Sequence, residues 1–155
     1  MKQICYLALG SNLGDRHTLL RECRAWIVKK IGREVAASSL YETAPVGYQS
    51  TNLFLNMVVA VETELQPEEV LRVSQEIERT LGRERKSNKG VHYDRTCDID
   101  IILFGDMVLE SHKLQIPHPR FRERAFVLEP LCEVAPDLVD PVTGKTIKEL
   151  AERYG

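Results

Sequence analysis

Four strand-like runs alternate with two amphipathic helical segments over residues 3–104. The runs are rich in β-branched and other apolar residues typical of strands, and they read QICYLALG, EVAASSLYET, NLFLNMVVAVETE and DIDIILF. One helical segment follows the first run, and the other separates the third run from the fourth. The order of elements is therefore β-α-β-β-α-β.

Start and stop signals delimit both helices. The first extends from Asp15 to Ile31 and ends at Gly32, and the second starts at Pro67 and ends at Gly82. The two predicted apolar faces are, in chain order, Leu19, Cys23, Trp26 and Ile27, and then Val70, Val73, Ile77 and Leu81. The pattern predicts an α+β fold with a ferredoxin-like βαββαβ core, in which both helices pack on one face of an antiparallel sheet. The remaining C-terminal segment is expected to add short helices and a hairpin that cover an edge.

Composition limits the classes of function. A chain of 155 residues, 43% apolar and 28% charged, is expected to form a single domain over 1–155. We expect a cytoplasmic monomer without a signal peptide or membrane span, whose four scattered cysteines are reduced. The net charge of −2 disfavours bulk electrostatic binding to nucleic acid, which is therefore not an expected partner.

Two aspartates interrupt the apolar fourth strand. Asp98 and Asp100 are two residues apart, so their side chains share one face of the strand, roughly 6.6 Å apart. Carboxylates on one face can hold Mg²⁺, which binds one or two carboxylates together with substrate phosphates. The alternative is structural: the two acids lie at a solvated strand end or pair with Arg95 and nearby lysines.

The segment before these aspartates is basic. It contains Arg83, Arg85, Lys86, Lys89 and Arg95. Such a charge run is commonly a solvated surface, but cations beside a metal-binding pair also suit a polyphosphate substrate. No G-x-x-x-x-G-K-[ST] motif is present, so this is not a P-loop protein.

Two further segments carry candidate ligand-binding residues. Phe54 and Asn56 share one face of the third strand, so a flat heterocycle could stack on the ring and bond the amide, or Asn56 could simply bond a neighbouring loop. In IPHPRFRERAF, His118 lies in a basic stretch as a structural residue or a phosphate donor.

Taken together, five segments resemble the 6-hydroxymethyl-7,8-dihydropterin pyrophosphokinases of folate biosynthesis. They are, in order, LGSNLGDR, YET-P-GYQ--FLN, QEIERTLGR-R, DR-CDIDI-LFG and IPHPR--ERAFVL-PL, and they span nearly the whole chain. The resemblance implies an ATP-dependent pyrophosphokinase. In this reaction the pterin hydroxymethyl oxygen attacks the β-phosphorus of ATP, accepts an intact diphosphate and releases AMP.

The resemblance also implies roles for individual residues. The catalytic group would be Arg83, Arg95, Asp98 and Asp100, with the two aspartates holding two Mg²⁺ ions. The pterin slot would comprise Thr43, Val46, Phe54, Asn56 and Phe126. The ATP side would comprise Gln75, Glu78, Arg85, Lys113, His118 and Arg124.

The chain departs from the family in one segment. Many members have Trp-Gly-Pro-Arg before the aspartates, and its Trp closes over the pterin, whereas this chain has GVHYDR. Either His92 or Tyr93 takes the place of that aromatic residue. Asp94, where proline is common, either adds a carboxylate near the metals or pairs with a loop cation.

Two other functions compete with this one. A palm-like nucleotidyltransferase or cyclase also places aspartates on a ferredoxin-like sheet, but it needs no pterin slot and would release pyrophosphate. A small-ligand or RNA-binding module on the same fold would show exposed aromatics and a basic face, and Phe54 alone beside two acids disfavours it.

Overall fold

The computed structural model describes residues 2–12, 14–44, 53–82 and 97–154. Its strands are β1 (Gln3–Ser11), β2 (Gly32–Ala37), β3 (Tyr41–Thr43), β4 (Phe54–Thr63), β5 (Asp98–Phe104), β6 (Leu109–Glu110) and β7 (Gln115–Ile116). Its α-helices are α1 (Arg16–Lys30), α2 (Pro67–Leu81), α3 (Ala125–Val134) and α4 (Ile147–Ala151), and two short 3₁₀ turns span Phe121–Glu123 and Glu152–Tyr154.

The main sheet has the predicted topology. Its strand order is β2-β4-β1-β5, every neighbouring pair is antiparallel, and β3 also pairs with β4. The connections β1-α1-β2 and β4-α2-β5 place both helices on one side, which we call the helix face. The ferredoxin-like βαββαβ core is thereby confirmed. The predicted second strand is in fact two strands, β2 and β3, separated by residues 38–40.

The helix face is covered by a continuous apolar core. Alternate residues of β1, β4 and β5, such as Leu7, Val59 and Ile99, contact the buried sides of α1 and α2. On α2 the buried apolar side is the predicted one, except that Leu81 is only half-buried. On α1 the fully buried leucine is Leu20, and the predicted Leu19 is half-buried.

The C-terminal segment packs on the opposite face of the sheet, which we call the cavity face. Leu128 and Leu131 of α3 form a second core with Val58 of β4 and Ile102 of β5. The predicted short helices and β6–β7 hairpin are present, but α3 lies across β4 and covers a sheet face instead of an edge. The reason is that the cavity face is itself partly apolar and would otherwise expose those residues to water.

An irregularity in β5 allows this strand to serve both cores. Tyr6 pairs with Leu103 but Leu7 pairs with Ile101, which leaves Ile102 as an extra residue. As a result Ile101 and Phe104 enter the core under the helices, while Ile102 and Leu103 enter the second core. This bulge explains why the C-terminal half of β5 is uniformly apolar.

The four cysteines are free, and three of them, Cys5, Cys23 and Cys97, are buried. Among the described residues, no helix is both long and apolar enough to cross a membrane.

Candidate active site

A cavity of about 220 Å³ opens on the cavity face, next to the start of α3. Its walls come from β1, β4, β5, the end of β3 and the first residues of α3. The lining residues are Ala8, Leu9, Gly10, Thr43, Ala44, Phe54, Asn56, Met57, Asp98, Asp100, Arg124, Phe126 and Val127. The uncovered half of this sheet face is therefore a concave, mixed polar and aromatic site.

Asp98 and Asp100 lie on the cavity face at the start of β5. In the antiparallel ladder they pair with Gly10 and Ala8 of β1, and both are half-buried. The intervening Ile99 points the other way and is 6% exposed, so it anchors the strand in the helix-side core. The alternation of acidic and apolar residues at the start of β5 thus follows from strand geometry: Asp98 and Asp100 face the cavity, and Ile99 and Ile101 face the core under the helices.

Glu78 of α2 fixes the beginning of β5. Its Oε2 accepts a hydrogen bond of 2.7 Å from the backbone N–H of Ile99, the residue between the two aspartates. A charged acceptor on a backbone N–H is among the stronger hydrogen bonds. Glu78 therefore helps to set the backbone that carries both carboxylates.

Asn56 and Phe54 form the opposite wall. Asn56 is 7% exposed, and its Nδ2 donates to Thr43 Oγ1 at 2.7 Å and to the Tyr41 carbonyl at 3.5 Å. These bonds hold the amide plane at the cavity wall, next to the half-buried ring of Phe54. An aromatic face beside an oriented amide suits a flat heterocycle with donors and acceptors along its edge.

Gly10 keeps this wall open. A Cβ at this position would lie 3.1 Å from Asn56 Oδ1 and 3.5 Å from Phe54 Cδ1. A Cβ here would therefore crowd the Asn56 amide oxygen and lie in van der Waals contact with the Phe54 ring. A glycine inside a strand often marks such a close approach of a ligand or a neighbouring group.

The α3 end of the cavity contributes Arg124 and Phe126. Arg124 precedes the helix, and its guanidinium carbon is 5.7 Å from the centroid of the Phe126 ring. Both side chains are half-buried. A cation and a second aromatic ring thus face the wall formed by Phe54 and Asn56.

His118 lies nearby, outside the cavity lining, and is a neutral donor in this environment. Burial is the main cause that lowers its pKa below the ordinary 6.5, and the charge of Arg124 lowers it further, while Asp98 opposes the shift. Its Nδ1 accepts a hydrogen bond of 3.1 Å from the backbone N–H of Arg120. The proton of the neutral ring is therefore on Nε2.

Seven of the predicted site residues line this cavity. They are Thr43, Phe54, Asn56, Asp98, Asp100, Arg124 and Phe126. Gln75 and Glu78 lie one turn apart on α2, Lys113 is exposed between β6 and β7, and none of these three lines the cavity. The remaining predicted positions lie outside the described residues: Val46, Arg83, Arg85, His92, Tyr93, Asp94 and Arg95.

Several lining residues are not evident from sequence reasoning. Ala8 and Gly10 belong to β1, and Ala44 follows β3. Gly10 is the last residue of the predicted first strand, and β1 continues one residue further, through Ser11. The sequence signal that could have indicated Gly10 is a glycine within a strand-like run. Its position opposite Asp98 becomes clear only when the strands are paired.

Comparison with known proteins assigns the chain to a family. Residues 6–136 match the family described as 7,8-dihydro-6-hydroxymethylpterin-pyrophosphokinase (HPPK). The 2-amino-4-hydroxy-6-hydroxymethyldihydropteridine pyrophosphokinase of Porphyromonas gingivalis is 48% identical over 86% of this chain and 91% of the relative. The protein of the same name from Bacillus subtilis is 47% identical over 86% of this chain and 79% of the relative.

The fold has counterparts among solved structures. A crystal structure of a Plasmodium falciparum HPPK-DHPS triple mutant matches 99% of this chain with a TM-score of 0.79 at 20% identity. This chain spans 44% of that longer protein, so the match concerns the fold of one part of it. With the family match over residues 6–136 and the two bacterial relatives, it follows that this chain belongs to the 7,8-dihydro-6-hydroxymethylpterin-pyrophosphokinase family.

Proposed function

We propose that this chain transfers a diphosphate group from ATP to the hydroxymethyl group of 6-hydroxymethyl-7,8-dihydropterin, an enzymatic step of folate biosynthesis. The pterin hydroxyl oxygen forms a bond to the β-phosphorus of ATP and releases its proton to solvent, while the bond between that phosphorus and the α,β-bridging oxygen breaks and AMP leaves. The observation that carries the proposal is one cavity that joins an aromatic and amide slot to a pair of carboxylates. The chain's family supports the same reaction.

The slot suits the ring system of a pterin. Phe54 and Phe126 offer apolar surfaces, and Asn56 offers an amide that Thr43 holds in place at 2.7 Å. A pterin is flat, and its edge alternates hydrogen-bond donors with acceptors. An oriented amide discriminates among such edges, because a mismatched heterocycle leaves buried polar groups without partners. Val46 is proposed to complete the slot.

The two carboxylates suit Mg²⁺. Asp98 and Asp100 present hard oxygen donors on one side of a strand, at the cavity that would receive the substrates. Within the described part of the chain, no cluster of three or more His, Cys, Asp or Glu side chains forms a metal site. The two aspartates are therefore expected to share metal ions with the phosphates of the substrate. Two Mg²⁺ ions are proposed. When bound, such ions neutralise charge on the phosphates and align the reacting oxygens.

The ATP side is proposed to include Gln75, Glu78, Arg85, Lys113, His118 and Arg124, with Arg83 and Arg95 facing the phosphates. Two of these residues have a charge or a donor N–H that suits binding of phosphate oxygens. Arg124 brings a permanent cation to the cavity, and neutral His118 keeps its Nε2–H available as a donor. Transfer of a diphosphate depends mainly on positioning and charge neutralisation, so it does not require a dedicated general base.

The oligomeric state, the cellular location and the domain extent of the enzyme are also proposed. The family membership supports small-molecule substrates, and we propose that the chain acts as a cytoplasmic monomer with a single domain over 1–155. The monomer is tested by size-exclusion chromatography with light scattering. A stable dimer would contradict this part of the proposal and leave the reaction itself unaffected.

The nucleotide product tests the reaction. The protein is incubated with ATP, Mg²⁺ and the reduced hydroxymethylpterin, and the products are separated and identified by mass spectrometry. We expect AMP and pterin diphosphate in equal amounts. ADP with a pterin monophosphate, or free pyrophosphate with a nucleotidylated product, would refute the proposal, and the latter outcome would favour a palm-like nucleotidyltransferase.

A further inference from the structure

Glu133, at the far end of α3 from the cavity, is bonded to the segment that leads into β3. Both of its carboxylate oxygens accept from the Ser39 backbone N–H at 3.0 Å, and Oε2 also accepts from Ser39 Oγ at 2.8 Å. Its Oε1 accepts from Tyr41 Oη at 2.7 Å. One carboxylate thus makes all these bonds to residues 39–41, although it lies on the protein surface.

The protonation states of this pair favour a strong bond. Hydrogen bonds from Tyr41 and Ser39 hold the pKa of Glu133 below its ordinary value. Burial, and then the Glu133 acceptor, raise the pKa of Tyr41 to about 12. At neutral pH the acceptor is therefore ionised while the donor keeps its proton, which is the arrangement of a charge-assisted hydrogen bond.

Glu133 binds at the point where the strand register changes. Ala37 pairs with Val59 and Tyr41 pairs with Asn56, so the β2–β3 segment contains one residue more than β4 over this stretch. Ser38 stays on the sheet, where its N–H donates to the Val58 carbonyl and its Oγ accepts from the Val58 N–H, both at 2.9 Å. Glu133 provides the acceptor for the N–H of the next residue.

This register decides what faces the cavity. As β3 is paired, Thr43 lies opposite Phe54 and its Oγ1 meets Asn56 Nδ2 at 2.7 Å. A shift by one residue would turn alternate side chains of β3 to the other face and remove Thr43 from this contact. The register at residues 38–40 therefore determines whether the Asn56 amide is held in the orientation seen here.

Glu133 also connects the two walls of the cavity. It lies seven residues after Phe126, so both side chains project from the same side of α3. Phe126 lines the cavity at one end of the helix, and Glu133 holds β3 two turns further on. The spacing between the α3 wall and the β3–β4 wall is set in part by this bond.

We infer that Glu133 is a positioning residue for the pterin slot. By holding Ser39 and Tyr41, it keeps Thr43 in contact with Asn56. This inference rests on the proposed function for the identity of the ligand. Loss of Glu133 is expected to weaken productive binding of the pterin and to leave ATP binding nearly unchanged. Glu133 itself does not line the cavity.

The test compares Glu133→Ala with Glu129→Ala, which removes an equal charge that also acts on Tyr41 from an exposed position on the same helix but leaves the bonds of Glu133 to Ser39 and Tyr41 in place. We expect Glu133→Ala to raise the pterin KM by about tenfold and to change the ATP KM by less than about twofold. The reason is that the charged hydrogen-bond acceptor is lost only from the segment that positions the pterin slot. Glu133→Gln, which retains an acceptor oxygen, should raise the pterin KM less. Glu129→Ala should resemble the wild type.

Hydrogen exchange of the ligand-free protein gives a readout that is independent of the reaction. Exchange of backbone amides in residues 38–44 should accelerate in Glu133→Ala and not in Glu129→Ala. If the wild type does not turn over the pterin, the proposed function fails while accelerated exchange still supports the positioning of β3. Unchanged exchange, equal changes in both KM values, or a lower Tm with unaltered KM values would overturn the inference. If Glu133→Ala does not fold, Tyr41→Phe removes one of the same hydrogen bonds and should show the same selective change.

Discussion

The two faces of the main sheet are built from the same strands but differ in chemistry. On the helix face, side chains such as Leu7, Leu55 and Ile99 are buried in one apolar core. On the cavity face, their sequence neighbours Ala8, Asn56 and Asp98 line an open cavity. Because strand residues alternate between faces, each strand contributes to stability through one set of residues and to the site through the other. Substitutions at adjacent positions should therefore have separable effects.

The largest difference is expected between Asp98 or Asp100 and Ile99. Asp98→Ala and Asp100→Ala should each reduce turnover by about a thousandfold or more, because the carboxylates would act on charge that develops during transfer. Their thermal midpoints should stay near that of the wild type. Ile99→Ala should instead lower the free energy of unfolding by ~2–5 kcal/mol and retain turnover in the folded protein.

Both properties are measured on the same three variants, by thermal melting and by Mg²⁺-dependent turnover. Near-normal turnover in a folded aspartate variant would refute the proposed metal ligands. A large loss of stability in those variants would mean that the aspartates are structural.

The polar wall of the cavity offers the next comparison, between the two substrates. Asn56→Ala should weaken pterin binding by about 1–3 kcal/mol and leave ATP binding nearly unchanged, because only the heterocycle edge loses its partner. Calorimetry with each ligand measures both. Thr43→Val should cause a smaller loss, and the double variant should lose less than the two losses added together, since the two side chains are bonded to each other. Equal losses for ATP and pterin would contradict this placement of the pterin.

Gly10 and Gly32 allow the same substitution, glycine to alanine, to be made at the cavity and away from it. Gly10→Ala should raise the pterin KM several-fold with a small change in Tm, because its Cβ would meet the far ends of Asn56 and Phe54 side chains. At Gly32 the Cβ would clash with the backbone carbonyl oxygen of Glu62, so Gly32→Ala should mainly lower the Tm. The prediction fails if both variants change the same property.

The smallest expected effect is a pH dependence of stability. It comes from the link between β3 and α3 that the hydrogen bond from Tyr41 to Glu133 forms. The pKa of Tyr41 is raised to about 12, so its protonated form is favoured in the folded protein. This contribution to stability is fully present below the ordinary value of 10.0 and is lost as the pH rises through about 12. Burial also raises the pKa of Tyr6, so the contribution of Tyr41 is identified as the part of the late tyrosinate titration that is lost in Tyr41→Phe. In Glu133→Ala that part should move toward 10.0. A midpoint near 10.0 in the wild type would argue against the link.

The order of elements and the family were accessible from the sequence because they depend on local patterns. Strand alternation and helical periodicity predict the βαββαβ core, and the observed topology confirms it. The five family-like segments predict the pyrophosphokinase family, which the match over residues 6–136 confirms. Strand alternation also places Asp98 and Asp100 on one side, and Phe54 and Asn56 on one side, as found in the cavity.

Features that depend on contacts between distant segments were decided by the tertiary structure. The bulge at Ile102, the extra residue between β2 and β3, and the packing of α3 on a sheet face all require knowledge of which strands are neighbours. The same is true of Gly10 opposite Asn56 and of Glu133 on Ser39, which is 94 residues away in the chain. Local sequence specifies which face a side chain takes within its own strand, whereas register and long-range packing determine what that side chain meets.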